Sequence, residues 1–527
     1  MKKKILLISL AVLLAISMGI VGCTTPAEEE EEEPPVKETL VVGLSTLHEE
    51  TFLPWNGGLA RIFYMDCIYE TLTFLDPETL EAVPGLAESW EVSEDAMTWT
   101  FYLQEGIQFH EGWGEVTAED VKYSIERVIA EESIVGPATP MRALIDSVEA
   151  PETYKVVVHL NTPDPALDKG YMSQANPVWV VPKDYVESEG DETANDHPIG
   201  TGPYTLKSYS PGYSVELEAV EDHWRITPDF KYIKFVKSPE DATRVAMLKA
   251  GEADLVPISY DSIPEVEAAG LNVLSVPNSW SPYFVFGGTV PARPARWNPD
   301  NPWADIRVRQ ALNMAIDKQT IVDTIFHGQA QVAGAQSYTP AWKDIEPWFT
   351  YNPTEAEDLL EDAGYSDGFP ILLKAFTTSP GAELPAIAEA VATYWEEIGL
   401  DVEVQIVDYR AVVRPEWITD QALDYIFTHR GMSMINSVQA VEAAFNAESA
   451  FCVYASEATE ALLAEIAASS DGAEREALTT EMGEVIRDEV GIVPIAYCNE
   501  PYGTSEYVGD WPSLSVTVTN IYKITRP

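Results

Sequence analysis

The chain has 527 residues, 46% of them hydrophobic and 10% aromatic, which is material for a sizeable buried core. Its 86 acidic residues against 32 Lys and Arg give a formal net charge of −54. That charge excludes nucleic-acid backbones and anionic membrane surfaces as partners, since both would be repelled. It makes neutral or cationic ligands more natural than anionic ones, and it serves solubility in a salty exterior equally well.

In chain order, Lys2, Lys3 and Lys4 precede an apolar run from Ile5 to Val21 that closes at Gly22-Cys23. A basic start, a short apolar run and a small residue at its end make a secretory signal. Ile20-Val21-Gly22-Cys23 resembles a bacterial lipobox, so Cys23 is the expected lipidation site. The alternative is a transmembrane anchor, for which about 17 apolar residues is the lower limit. Glu28 to Glu33 followed by Pro34-Pro35 cannot pack and reads as a spacer. Residues 1–22 are therefore expected to be signal peptide and 23–37 an acidic tether.

The body that follows exceeds one ordinary domain, so two or three lobes are expected. Thr39–Leu44, Trp99–Leu103 and Lys155–Leu160 have strand composition. Thr117 with Asp120 starts a helix whose buried face is Val121, Ile125, Val128 and Ile129. A second helix occupies 353–363, capped by Asn352 and Glu355 and stopped by Gly364. A third runs from about Pro385 to Ile398, stops at Gly399 and feeds the alternating strand Val402, Val404, Ile406. Helix followed by strand recurs at 475–495, which indicates α/β lobes. Seams are expected at Pro291–Trp303 and Gly491–Tyr497, giving lobe I over 38–292, lobe II over 293–497 and a return to lobe I over 498–527. Two crossings would make a hinge with a cleft beside it.

No catalytic constellation stands out. The seven histidines are scattered without metal-ligand spacing, and no nucleophile elbow or phosphate-cradling loop is present. Gly200-Thr-Gly-Pro-Tyr204 is a turn, because Pro203 breaks any phosphate loop. No metal and no cofactor is expected. Cys67, Cys452 and Cys498 are too few for a disulfide framework; a Cys452–Cys498 bridge and reduced core thiols are both open. Aromatics near the seams are candidates for stacking on a solute: Trp55, Trp280, Tyr283 and Tyr497. Core packing is the competing role for each.

Several segments in order resemble one family. They are Tyr69–Asp76, Pro84–Trp90, Thr98–Phe101, Gly106–Phe109, Thr117–Arg127, Gly200–Tyr204, Asp305–Lys318 and the 353–369 helix and turn. Together they resemble the extracytoplasmic solute-binding proteins, family 5, of ABC importers. The resemblance implies a two-lobed periplasmic-binding-protein-like α/β fold (class II), with a subdomain of about residues 67–201 inserted in lobe I. It implies a non-enzymatic, monomeric receptor, tethered at the cell membrane outside the cytoplasm, that delivers a small solute to ABC permease subunits.

One departure bears on the ligand. Peptide binders of the family carry an aspartate after a Trp-Gly-Ala-like run to pair with the α-ammonium, but Thr428 to Asn436 holds no carboxylate. A buried ammonium there would be unpaired and costly, so an ordinary peptide loses support. His429 and Arg430 suit a carboxylate or a hydrogen-bonding neutral solute, with Tyr409 and Arg410 as lesser candidates; an ion pair at the lobe surface is the alternative for Arg430. A peptide-like solute, an oligosaccharide and a metal chelate are the ligand classes considered. A surface-anchored hydrolase is the rival from another class.

Overall fold

The computed structural model describes residues 37–47, 50–58, 61–378, 380–434, 436–514 and 518–527. The signal, Cys23 and all but the last residue of the tether lie outside the described residues. Among those residues, no helix is long and apolar enough to cross a membrane.

Local chemistry accounts for the elements seen. The helix Ala118–Ile129 starts where the Thr117 N–H donates to Asp120 Oδ2 at 2.9 Å, and it buries Val121, Ile125 and Val128. Ile129 is only half-buried. The helix Pro353–Asp362 is capped by Asn352, whose Oδ1 accepts the Glu355 N–H at 3.2 Å. It ends at Gly364, where φ is +91°, a conformation open chiefly to glycine. Strands Thr98–Leu103 and Lys155–Leu160 alternate half-buried and buried residues. They form the centre of a four-stranded antiparallel sheet with Ala87–Val92 and Ile145–Glu152. This small sheet is inserted in the chain between two strands of a larger one, Thr39–Leu44 and Tyr204–Ser210.

The larger sheet runs through both lobes. Its order is Tyr204–Ser210, Ser214–Ala219, Tyr232–Lys237, Thr39–Leu44, Leu255–Pro257, Ala496–Thr504, Asn272–Phe286, Ile426–Met432, Pro370–Ala375, Asp401–Ile406. Pro370–Ala375 and Asp401–Ile406 are parallel, joined by the helix Leu384–Glu397, the crossover that parallel strands need. Ile406 ends the edge strand and is 61% exposed.

The strand Asn272–Phe286 changes partners along its length. Asn272–Val276 pairs with Glu500–Thr504, the register slips between Val276 and Trp280, and Trp280–Phe286 pairs with Ile426–Met432. The change of partner thus precedes the Pro291–Trp303 seam read from composition. That Pro-rich stretch forms short turns, Pro294–Arg296 and Pro302–Ala304, with Trp303 buried in the lobe II core. Cys67, Cys452 and Cys498 are all buried free thiols, so the Cys452–Cys498 bridge does not form. Cys498 sits opposite Trp280 and Ala330 in the crossing strands, whereas Cys452 packs with Val290, Ala447 and Ala455.

Candidate interlobe binding site

A cavity of about 360 Å³ opens against the lobe II end of the crossing strand, within the range of small-molecule sites. The crossing strand contributes Tyr283, and Ile426–Met432 with the residues after it contributes His429 to Met434. Ala175 and Asn176 come from the inserted part of lobe I, and Asn436 and Gln439 from the start of the helix Ser437–Phe445. Asn436 caps that helix, accepting the Val438 and Gln439 N–H groups at 3.0 and 3.2 Å.

His429 is the centre of an aromatic box. Its ring lies 4.8 Å from Trp417, 5.6 Å from Tyr283, 5.8 Å from Tyr409 and 6.0 Å from Phe376, centroid to centroid. Burial, and then the adjacent Arg430 charge, push its pKa down to about 3, so the imidazole is neutral. Gln336 Nε2 donates to the Tyr283 hydroxyl at 3.2 Å. That leaves the Tyr283 proton to donate to His429 Nδ1, 3.0 Å away, and puts the imidazole proton on Nε2, facing the Tyr409 hydroxyl at 3.5 Å. Tyr409 sits in a π-helical turn, Tyr409–Val413, capped by Asp408. Such turns re-aim side chains locally.

Arg430 lines the same cavity. Burial lowers its pKa from the ordinary guanidinium value, while Tyr283, Tyr409 and Glu500 act in the opposite direction. Arg430 Nη1 donates to Met432 Sδ at 2.6 Å, and a thioether is a weak acceptor. Glu500, on the returning strand, has its pKa raised to about 7, by burial first, with Arg430 opposing the rise. No Asp or Glu is among the described residues lining this cavity. A solute carboxylate would meet the Arg430 cation here, whereas this lining offers an ammonium no carboxylate.

Of the residues singled out from sequence, Tyr283, Tyr409, His429 and Arg430 come together at this place. Trp55, Trp280 and Tyr497 do not. Trp55 is 4% exposed, with the Arg127 guanidinium 4.0 Å above its ring. Trp280 is core, its Nε1 donating to Tyr260 Oη at 3.2 Å. Tyr497 is buried edge-on against Tyr338. Each is consumed by packing, the competing role. Arg410 is exposed. Sequence reasoning passed over Trp417, Gln336, Met432, Met434 and Phe451. Only Trp417 carried a signal, as an aromatic two residues after Arg414-Pro415. It is fixed by Arg296, whose Nη2 donates to Trp417 O at 2.8 Å, and by its own Nε1 donating to Cys452 O at 3.0 Å. The Pro291–Trp303 stretch thus braces the cavity wall.

Residues 81–450 match the family described as bacterial extracellular solute-binding proteins, family 5 Middle. The chain belongs to this family. Among curated relatives, Di/tripeptide-binding protein 3 of Pseudomonas aeruginosa is 26% identical over 489 residues, covering 84% of this chain and 86% of that protein. Among solved structures, HbpA2 from Haemophilus parasuis superposes with a TM-score of 0.78 at 23% identity, over 93% of this chain and 100% of that one. NikZ from Campylobacter jejuni in complex with Ni(L-His) superposes with a TM-score of 0.74 at 22% identity, over 93% and 100%. The fold is the two-lobed periplasmic-binding-protein fold, and the chain is a solute-binding protein of the ABC-importer kind.

Proposed function

We propose that this family 5 protein is a lipid-tethered receptor, held outside the cytoplasm at Cys23. It captures a short peptide-like solute between its lobes as a monomer and hands it to permease subunits. The hinge lies at Val276–Trp280 and at the facing residues Cys498–Glu500, where the crossing strands change partner and register. Residues 24–37 act as reach, allowing the body to dock from above the membrane.

The observation that carries the ligand reading is a half-buried Arg430 facing a cavity whose described lining has no carboxylate. Arg430 engages the solute's carboxylate, and Trp417, Phe451, Met432 and Met434 take its apolar part. A buried ammonium would go unpaired there, so affinity is set by the carboxylate end. Peptide binding by relatives such as Di/tripeptide-binding protein 3 supports the class. A second reading, a metal chelate, rests on the Met432 and Met434 thioethers lining the cavity, since thioethers suit softer transition metals.

The test is mass spectrometry of solute co-purified with the whole chain, followed by thermal shift against di- and tripeptides, their methyl esters, oligosaccharides and nickel–histidine. A bound solute stabilises by RT ln(1 + [L]/Kd). Peptide acids should raise the melting temperature and esters should not. A shift only with sugars or chelates would replace the peptide reading, and measurable turnover of peptides or glycans would replace the receptor reading.

A further inference from the structure

A second and larger cavity, about 790 Å³, separates the inserted part of lobe I from the lobe II helices. It touches the first cavity only through Asn436 and Gln439. One bond set crosses the gap beside it. Arg475, on the helix Gly472–Asp488, is 7% exposed. Its Nε donates to Ser469 O at 2.9 Å within its own lobe. Its Nη2 donates across the gap to Pro163 O at 2.5 Å, and its Nη1 lies 3.8 Å from Asp164 Oδ1. The planar guanidinium suits this division, since its fork can serve two carbonyls in fixed directions where an ammonium cannot. Asn176 Nδ2 makes another crossing, donating to Gln439 Oε1 at 3.0 Å. Gly170 abuts lobe II here too, because a Cβ on it would lie 2.8 Å from Asn436 Nδ2.

We propose that Arg475 is a closure latch. It holds the inserted subdomain onto lobe II without touching solute, and the carboxyls around it make closing take up protons. The proposal rests on the reading that the lobes close over a solute, but its test needs none.

The charged groups facing this gap are Glu81, Asp164, Asp168 and Lys169 on the lobe I side, and Glu442, Arg475 and Glu476 on the lobe II side. Carboxylates thus confront carboxylates, with one latch cation and Lys169 among them, and Lys169 Nζ is bonded back to Glu81 at 3.1 Å. Burial raises the pKa of Asp164, Asp168, Glu442 and Glu476 alike. Opening would hydrate the faces that these carboxyls turn toward the gap and so relieve part of that rise. The closed form then binds more protons, and closing strengthens as pH falls. A receptor built this way holds solute more firmly in an acidified exterior.

The experiment measures the interlobe distance of the whole chain in mild detergent, without solute, by electron–electron resonance between spin labels at exposed Glu94 and Glu361. Arg475→Ala should shift the closed-to-open ratio about tenfold or more toward open, as expected for losing a charge-assisted bond. Arg475→Lys should recover only part of the shift. An Arg475→Ala distance distribution equal to wild type overturns the latch. Should that variant fail to fold, Asn176→Ala together with a wild-type pH series carries the test. The closed fraction should drop in Asn176→Ala, and in wild type it should rise from pH 7.5 to pH 5.5. A wild-type fraction that is flat or falls overturns the proton coupling. An unaltered Asn176→Ala distribution overturns the latch region. Absence of binding by any peptide would sink the proposed solute class and leave these distance readouts standing.

Discussion

Replacing Arg430 with methionine isolates the feature on which the ligand reading depends. The guanidinium lines a cavity whose other walls are largely apolar, and burial has already lowered its pKa. Its bond to a solute carboxylate would be charge-assisted, stronger than the bond that Nη1 makes to the Met432 thioether. Such bonds contribute about 1.5–3 kcal/mol, so at ~1.4 kcal/mol per decade affinity for the solute recovered from wild type should fall roughly 10- to 150-fold. Folding stability should change by less than about 1.5 kcal/mol, because methionine fills similar volume and a partly buried cation is removed rather than stranded. Glu500 should respond as well. Arg430 now opposes the rise of its pKa to about 7, so without the guanidinium Glu500 should stay protonated to higher pH. Isothermal titration calorimetry gives the affinity, thermal melting the stability, and carboxyl NMR the Glu500 titration. A Kd within twofold of wild type would refute the argument. So would a methyl ester that binds wild type as tightly as the free acid.

Further expectations concern stability. Asp66 and Glu500 both have pKa values raised to about 7 by burial. The folded chain therefore binds more protons than the unfolded one between about pH 4 and 7, and stability falls as pH rises through that window. Melting curves at pH 5.5 and 7.5 should show it, and Asp66→Asn with Glu500→Gln should flatten the difference. Lys318 has the opposite sign. Its burial lowers its pKa to about 7, with Asn313 Oδ1 at 3.2 Å as its hydrogen-bond acceptor. Its penalty is full below pH 7 and disappears as pH rises through the unfolded value. Lys318→Met should stabilise by roughly 1–3 kcal/mol at pH 6 and by much less at pH 10, measured by urea unfolding; an equal gain at both would contradict this. Gly200→Ala should destabilise by about 1–3 kcal/mol or more, because its Cβ would lie 2.1 Å from Ile68 O. Asp120→Ala should cost about 1–2 kcal/mol by freeing the Thr117 and Lys183 N–H groups; a loss under 0.5 kcal/mol would argue against the cap.

What the sequence determined alone is what depends on near neighbours. Thr117 with Asp120, Asn352 with Glu355, and the glycines at 364 and 399 set helix ends through bonds and dihedrals only a few residues long. They appear where spacing placed them. The order of family segments was equally legible, because scaffold packing constrains them: Val308, Ala311, Leu312 and Ala315 are all buried. His429 and Arg430 could be singled out because an expected carboxylate was absent beside them.

Tertiary structure decided the rest. An aromatic in a strand reads the same whether its partner is a core phenylalanine or a solute. Only the fold packs Trp280 against Phe326 while leaving Tyr283 at a cavity. The change of strand partner was hidden for a similar reason. Proline and tryptophan between 291 and 303 mark irregular backbone, whereas the register shift at Val276–Trp280 lies inside a continuous strand. Nothing local distinguishes such a strand. The meeting of Arg475 with Pro163 joins residues 312 positions apart, and no periodicity reaches that far. Contacts between lobes are set by how two finished surfaces meet.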